Sequence, residues 1–87
     1  MARPRRTSPS RVAAAPEIRR IGDELARRRV ELRLTQQLLA DLAGVSRSTV
    51  QAAEYGTGAV KLASIVEIGA VLELRVGLSH AASKARP

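Results

Sequence analysis

The sequence predicts an all-α domain of four helices, with one β-strand appended near its C-terminal end. Three observations lead there. Apolar residues recur at helical spacing over residues 17–33 and crowd residues 62–71. Two short segments, 36–43 and 47–55, each follow a hydroxyl residue and are divided by a single glycine, Gly44. Residues 72–78, LELRVGL, alternate with period two instead.

The 87 residues suffice for one small domain. The expected organisation is a disordered basic arm at 1–16, a folded unit at 17–78 and a disordered tail at 79–87. A domain of ~60 residues buries only about 60% of its unfolded surface, so a partner would help it. The chain has no cysteine, hence no disulfide and no thiolate zinc site. Tyr55 is its one aromatic residue, so aliphatic side chains must build the core.

Charge is unevenly spread. The net value is +7, divided as +6 over residues 1–33, −2 over 34–73 and +3 over 74–87. Basic ends around a mildly acidic middle suit a polyanionic partner, with solvated basic tails as the competing reading. No apolar run approaches the ~18 residues of a membrane span. The start lacks the apolar stretch of a secretory signal, although its acid-free, Arg- and Ser-containing character also resembles a transit peptide. The absence of cysteine fits a reducing cytoplasm.

The elements follow in order. MARPRRTSPSRVAAAP, at 1–16, has three prolines and four arginines and is expected to stay mobile. Pro16 suits the first turn of a helix, and Glu17 the positive end of its dipole. Ile18, Ile21, Leu25 and Leu32 then mark one face of a helix from Glu17 to about Arg33. Thr35 caps a second helix, Gln36 to about Ala43, with Leu39, Ala40 and either Leu42 or Ala43 inward. Gly44 suits the left-handed position that ends it. Ser46 caps a third helix, Arg47 to about Tyr55, with Val50 and Ala53 inward. After the loop Gly56-Thr57-Gly58, a fourth helix runs from about Leu62 to Val71. It is apolar most of the way round, as a helix covered on two sides would be.

Leu72, Leu74, Val76 and Leu78 form the apolar side of the alternating segment. A lone strand cannot satisfy its own backbone, so pairing with a second copy is expected. A helix tail or frayed coil is the alternative.

Two short helices hinged at a glycine form a helix-turn-helix. That geometry braces one helix on a DNA backbone and sends the next into the major groove. Ala40 is small where the helices cross, and Val50 and Ala53 fix the crossing. An ordinary packed helix pair is the blander reading of the same residues.

LTQQLLADLAGVS at 34–46 and STVQAAEYG at 48–56 resemble the XRE (Cro/C1-type) helix-turn-helix family. The likeness spans about Ile21 to Leu74. It implies a bundle of four or five helices that binds operator DNA, usually palindromic, as a homodimer. It also implies that Gln36 meets a phosphate, that Arg47, Ser48, Gln51 and Ala52 face bases, and that Arg29 pairs structurally with Glu54. The chain departs from the family pattern at Leu38, Ala53 and Val60, which stand where a polar residue, a larger aliphatic and a proline are usual. Ala53 implies closer packing or a small void. The LEL-plus-strand tail is similar to the antitoxins of Hip-type toxin–antitoxin modules, which implies a kinase-like toxin as partner.

Residue chemistry adds detail. Arg47 can grip guanine O6 and N7, and Gln51 can pair with adenine, while a phosphate clamp is the plainer role for Arg47. The hydroxyls of Ser46, Ser48 and Thr49 suit phosphates. Arg3, Arg5 and Arg6 either follow a minor groove or form a non-specific tail. The expected function is a repressor, acting as an autorepressing antitoxin or as a stand-alone phage- or Cro-like repressor. No nucleophile–base pair, metal-ligand spacing or cofactor motif points to an enzyme. Scarce aromatics disfavour single-stranded RNA.

Overall fold

The computed structural model describes residues 9–57 and 59–80, with backbone only for 9–14. It contains four helices: α1 (Pro9–Glu31), α2 (Gln36–Ala43), α3 (Arg47–Tyr55) and α4 (Leu62–Val71). Helix α1 packs on α3, and α2 packs on both α3 and α4. The core between them comprises Leu25, Leu39, Ala40, Ala43, Val50, Ala53, Ile68 and Leu72. Each fully buried Leu, Ile or Val contributes about 1.5–3 kcal/mol by leaving water. Ala43, not Leu42, completes the inner face of α2; Leu42 is exposed.

Every helix ends in the same hydrogen-bonding motif. A residue with positive φ follows the helix, and the next amide reaches back five residues. The bonds are Leu34 N to Arg29 O, Val45 N to Ala40 O, Thr57 N to Ala52 O and Leu74 N to Gly69 O. Gly44 and Gly56, both at φ 72°, take the left-handed position after α2 and α3. After α1 and α4 it falls to Arg33 and Glu73, at φ 61° and 62°, where a Cβ is strained.

Gly22 fixes how α1 meets α3. A Cβ there would lie 2.5 Å from the Ala53 carbonyl oxygen and 2.7 Å from that of Glu54. Helix α1 therefore touches the backbone of α3 directly, an approach open only to glycine.

The described residues differ from three expectations. Helix α1 begins at Pro9, so residues 9–16 belong to it rather than to the arm, and Pro16 lies inside it. Ala13, Ala14 and Ala15 have the strongest helix propensity, which offsets the one hydrogen bond that Pro16 removes. Arg3, Arg5 and Arg6, like residues 81–87 of the tail, lie outside the described residues. The expected strand is not formed among the described residues: a ladder needs a second strand, and residues 74–80 run without one. Leu72, grouped with that strand, instead caps α4 and is fully buried in the core.

Helix α4 is less enclosed than its composition suggests. Ile68 and Gly69 are buried, but Leu62 and Val66 are exposed. Leu74 and Val76 fold back over Gly69, where an added Cβ would meet Val76 Cγ2 at 3.1 Å and Leu74 O at 3.2 Å.

Candidate nucleic-acid interface

The third helix has two faces set by its sequence. Val50 and Ala53, three residues apart, are buried. Arg47 and Ser48 are exposed, while Gln51 and Ala52 are half-buried on the way between. The N-terminal half of α3 thus presents a cation and a hydroxyl outward, with the Gln51 amide at the margin of that face.

The start of α3 is built from hydroxyls. Ser46 Oγ accepts from the Thr49 backbone N–H at 3.1 Å and lies 2.8 Å from Thr49 Oγ1 and 3.2 Å from Ser48 Oγ. This cap satisfies one of the free donors at the helix start. Thr35 caps α2 in the same way, accepting from Leu38 N at 3.0 Å. Ser46 is therefore occupied as a cap, while Ser46 and Ser48 are both exposed and Thr49 is half-buried.

A polar cleft of about 400 Å³ runs from this cap to the start of α4 and is bordered by Ser46, Ser48, Thr49, Lys61 and Ser64. Lys61 occupies the N-cap of α4 without a side-chain cap bond. The first N–H groups of that helix, together with the Lys61 ammonium, make its start electropositive. Lys61 and Ser64 were not foreseen from sequence. The signal was present: Arg47 and Lys61 are the only cations between residues 34 and 73.

Behind the outward face lies an ion pair. Arg29 Nε donates to Glu54 Oε2 at 2.6 Å, and Nη2 donates to Oε1 at 3.2 Å. Arg29 Nη1 also donates to the Leu34 carbonyl at 2.8 Å. The side chains are only 17% and 8% exposed. Gln36, assigned to a phosphate from sequence, turns its amide toward this pair and donates from Nε2 to Glu54 Oε1 at 3.0 Å. An unfilled acceptor on a nearly buried carboxylate draws the amide in. One hydrogen of that amide stays outside this bond.

The remaining charge pairs are peripheral. Arg20 meets Glu17 at 2.7 Å, and that hydrogen bond raises the guanidinium pKa above its usual value. Arg28 donates to the Leu72 carbonyl at 2.9 Å and to Glu73 at 3.2 Å, securing the end of α4. No helix among the described residues is long and apolar enough to cross a membrane.

A tight glycine-hinged helix pair, with a capped second helix whose outer face is polar, defines a helix-turn-helix protein. The helix-turn-helix family HTH_3 matches residues 25–78, well over half of the chain. The protein belongs to this XRE-type family and is a DNA-binding transcriptional regulator. No curated protein matches it.

Proposed function

We propose that the protein is a sequence-specific repressor that binds a palindromic operator as a homodimer. The observation that supports this best is the division of α3, with Val50 and Ala53 buried and Arg47 and Ser48 facing out. In this reading Arg47 and Gln51 contact guanine and adenine edges, each worth about 1–3 kcal/mol of discrimination. Ser48 and Ala52 complete the base-facing set. Thr49, Ser46, Lys61 and the start of α4 follow the phosphate backbone along the polar cleft. Gln36 reaches a phosphate with its remaining amide hydrogen while its partner hydrogen stays on Glu54. Two copies would set their recognition helices about 34–36 Å apart, one turn of DNA.

The finer reading is an antitoxin that represses its own operon and binds a kinase-like toxin. Its support is the LELRVGL tail and its likeness to Hip-type antitoxins. Exposed Leu38 and Leu42 on α2 are suited to a protein partner. The alternative is a stand-alone repressor. In either case the protein works by binding rather than catalysis, and at the nucleoid in the cytoplasm.

Selection of bound duplexes from a random pool tests the central reading. Enrichment of an inverted repeat is expected, and a pool that stays random would reject it. Co-expression with a kinase-like product of the adjacent gene tests the antitoxin role; failure to co-purify favours the stand-alone repressor.

A further inference from the structure

We propose that the apolar cavity between α1, α3 and α4 is a binding site for one small neutral molecule of the size and character of benzene or toluene. The site lies against the C-terminal half of α3 and stands whether or not the outer face of that helix meets DNA.

The cavity measures about 210 Å³. Ile18 and Ile21 of α1, Ala53 and Gly56 of α3 and Ile65 of α4 line it, and Leu62, which is 71% exposed, stands at its mouth. Its size follows from small residues set against backbone that cannot close in. Ala53 contributes one methyl group and Gly56 no side chain. Helix α1 already touches the backbone of α3 at two places. One is Gly22, beside the Ala53 carbonyl, and the other is Gly56, where an added Cβ would lie 3.0 Å from Arg19 Cα. The two helices therefore have no room to approach further and fill the space themselves. A cavity that cannot collapse weakens a fold, and an occupant that fits restores the lost contacts.

The chemistry of the walls selects the occupant. None of the described residues lining the cavity has a charged or hydrogen-bonding side chain. The carbonyls of Ala52 and Ala53, two of the lining residues, are already engaged. The Gly56 N–H donates to them at 3.0 and 3.2 Å, and the Thr57 N–H donates to Ala52 O at 3.2 Å. A polar ligand would leave its own donors and acceptors unpaired there. An apolar one gives up no hydrogen bond on entering; an engineered apolar cavity of ~150 Å³ in another protein stays dry and binds benzene. Residues 1–8 and 81–87 of the chain are poorly suited as occupants. They are basic, small or proline, and Met1 is their one large apolar side chain.

Nuclear magnetic resonance of the full-length protein with labelled isoleucine methyls tests the site directly. Toluene is expected to bind with a Kd of about 1 mM or lower and to give contacts to the methyls of Ile18, Ile21 and Ile65. Phenol, of nearly the same size but carrying a hydroxyl, is expected to bind at least about tenfold more weakly. Ala53→Leu places bulk in the cavity and should weaken toluene binding about tenfold or more. Should that variant fail to fold, the wild-type contacts decide alone. Toluene that touches none of the three methyls, or phenol that binds as well as toluene, would overturn the proposal. So would a folded Ala53→Leu chain that binds toluene as before. Toluene binding that fades as protein concentration rises would assign the cavity to a side chain of a second copy instead.

Discussion

Arg29 holds Glu54 in a two-pronged grip, Nε to Oε2 at 2.6 Å and Nη2 to Oε1 at 3.2 Å. The pair joins the end of α1 to the end of α3, and Gln36 adds the start of α2. Three helices are thereby tied at one carboxylate. Glu54→Ala leaves a mostly buried guanidinium without its anion, and the expected loss is about 3 kcal/mol in urea denaturation. A loss under about 1 kcal/mol would show that the pair is a surface contact only.

Arg47→Ala and Gln51→Ala remove outward groups and should leave stability within about 0.5 kcal/mol. Their effect belongs on DNA. Each should relax base preference at one position per half-site by about 1–3 kcal/mol, read by competition between operator variants. Equal weakening on every sequence would reassign Arg47 to phosphate.

Two glycines should respond differently to alanine. At Gly44 nothing lies within 4 Å of the added Cβ, so the cost is conformational, about 1–2 kcal/mol, and largely restored by asparagine. At Gly22 the Cβ meets the Ala53 carbonyl oxygen at 2.5 Å, and α1 must move off α3. That overpacking should cost roughly 3 kcal/mol, with no relief from asparagine. Thermal melts of the four variants decide the order.

Arg33 occupies a left-handed position at φ 61° that favours glycine. Arg33→Gly is expected to stabilise the fold by roughly 0.5–1 kcal/mol, since the relieved strain exceeds the added chain entropy. Chemical denaturation showing a loss would mean that the arginine side chain contributes more than its backbone costs.

Lys61→Ala should weaken binding to all duplexes alike and lower the slope of log K against log salt by about 0.9, the value for one phosphate. An unchanged slope would remove Lys61 and the start of α4 from the DNA-facing surface.

Local signals made α2, α3 and α4 legible. Thr35, Ser46 and Gly44 mark their own positions through hydroxyl caps and a left-handed φ, and these depend on neighbours a few residues away. The start of α1 was missed because proline reads as a boundary, although an alanine run precedes it. Leu72 was misread because period two and the end of a helix look alike over three residues. Gly22 gave no sign, since its importance lies in a helix distant along the chain. Gln36 turned inward because of Glu54, eighteen positions later. Lys61 needed the cleft before its place beside Ser46 could be seen.

The close seating of Gly22 against α3 separates what this chain can change from what it must keep. The rear of α3 packs through Val50 and Ala53 and, at Gly22, backbone to backbone, whereas Arg47 and Ser48 on its front are exposed and lie outside the buried core. New operator preferences are therefore within reach of a few front-side exchanges, with the chassis left as it is.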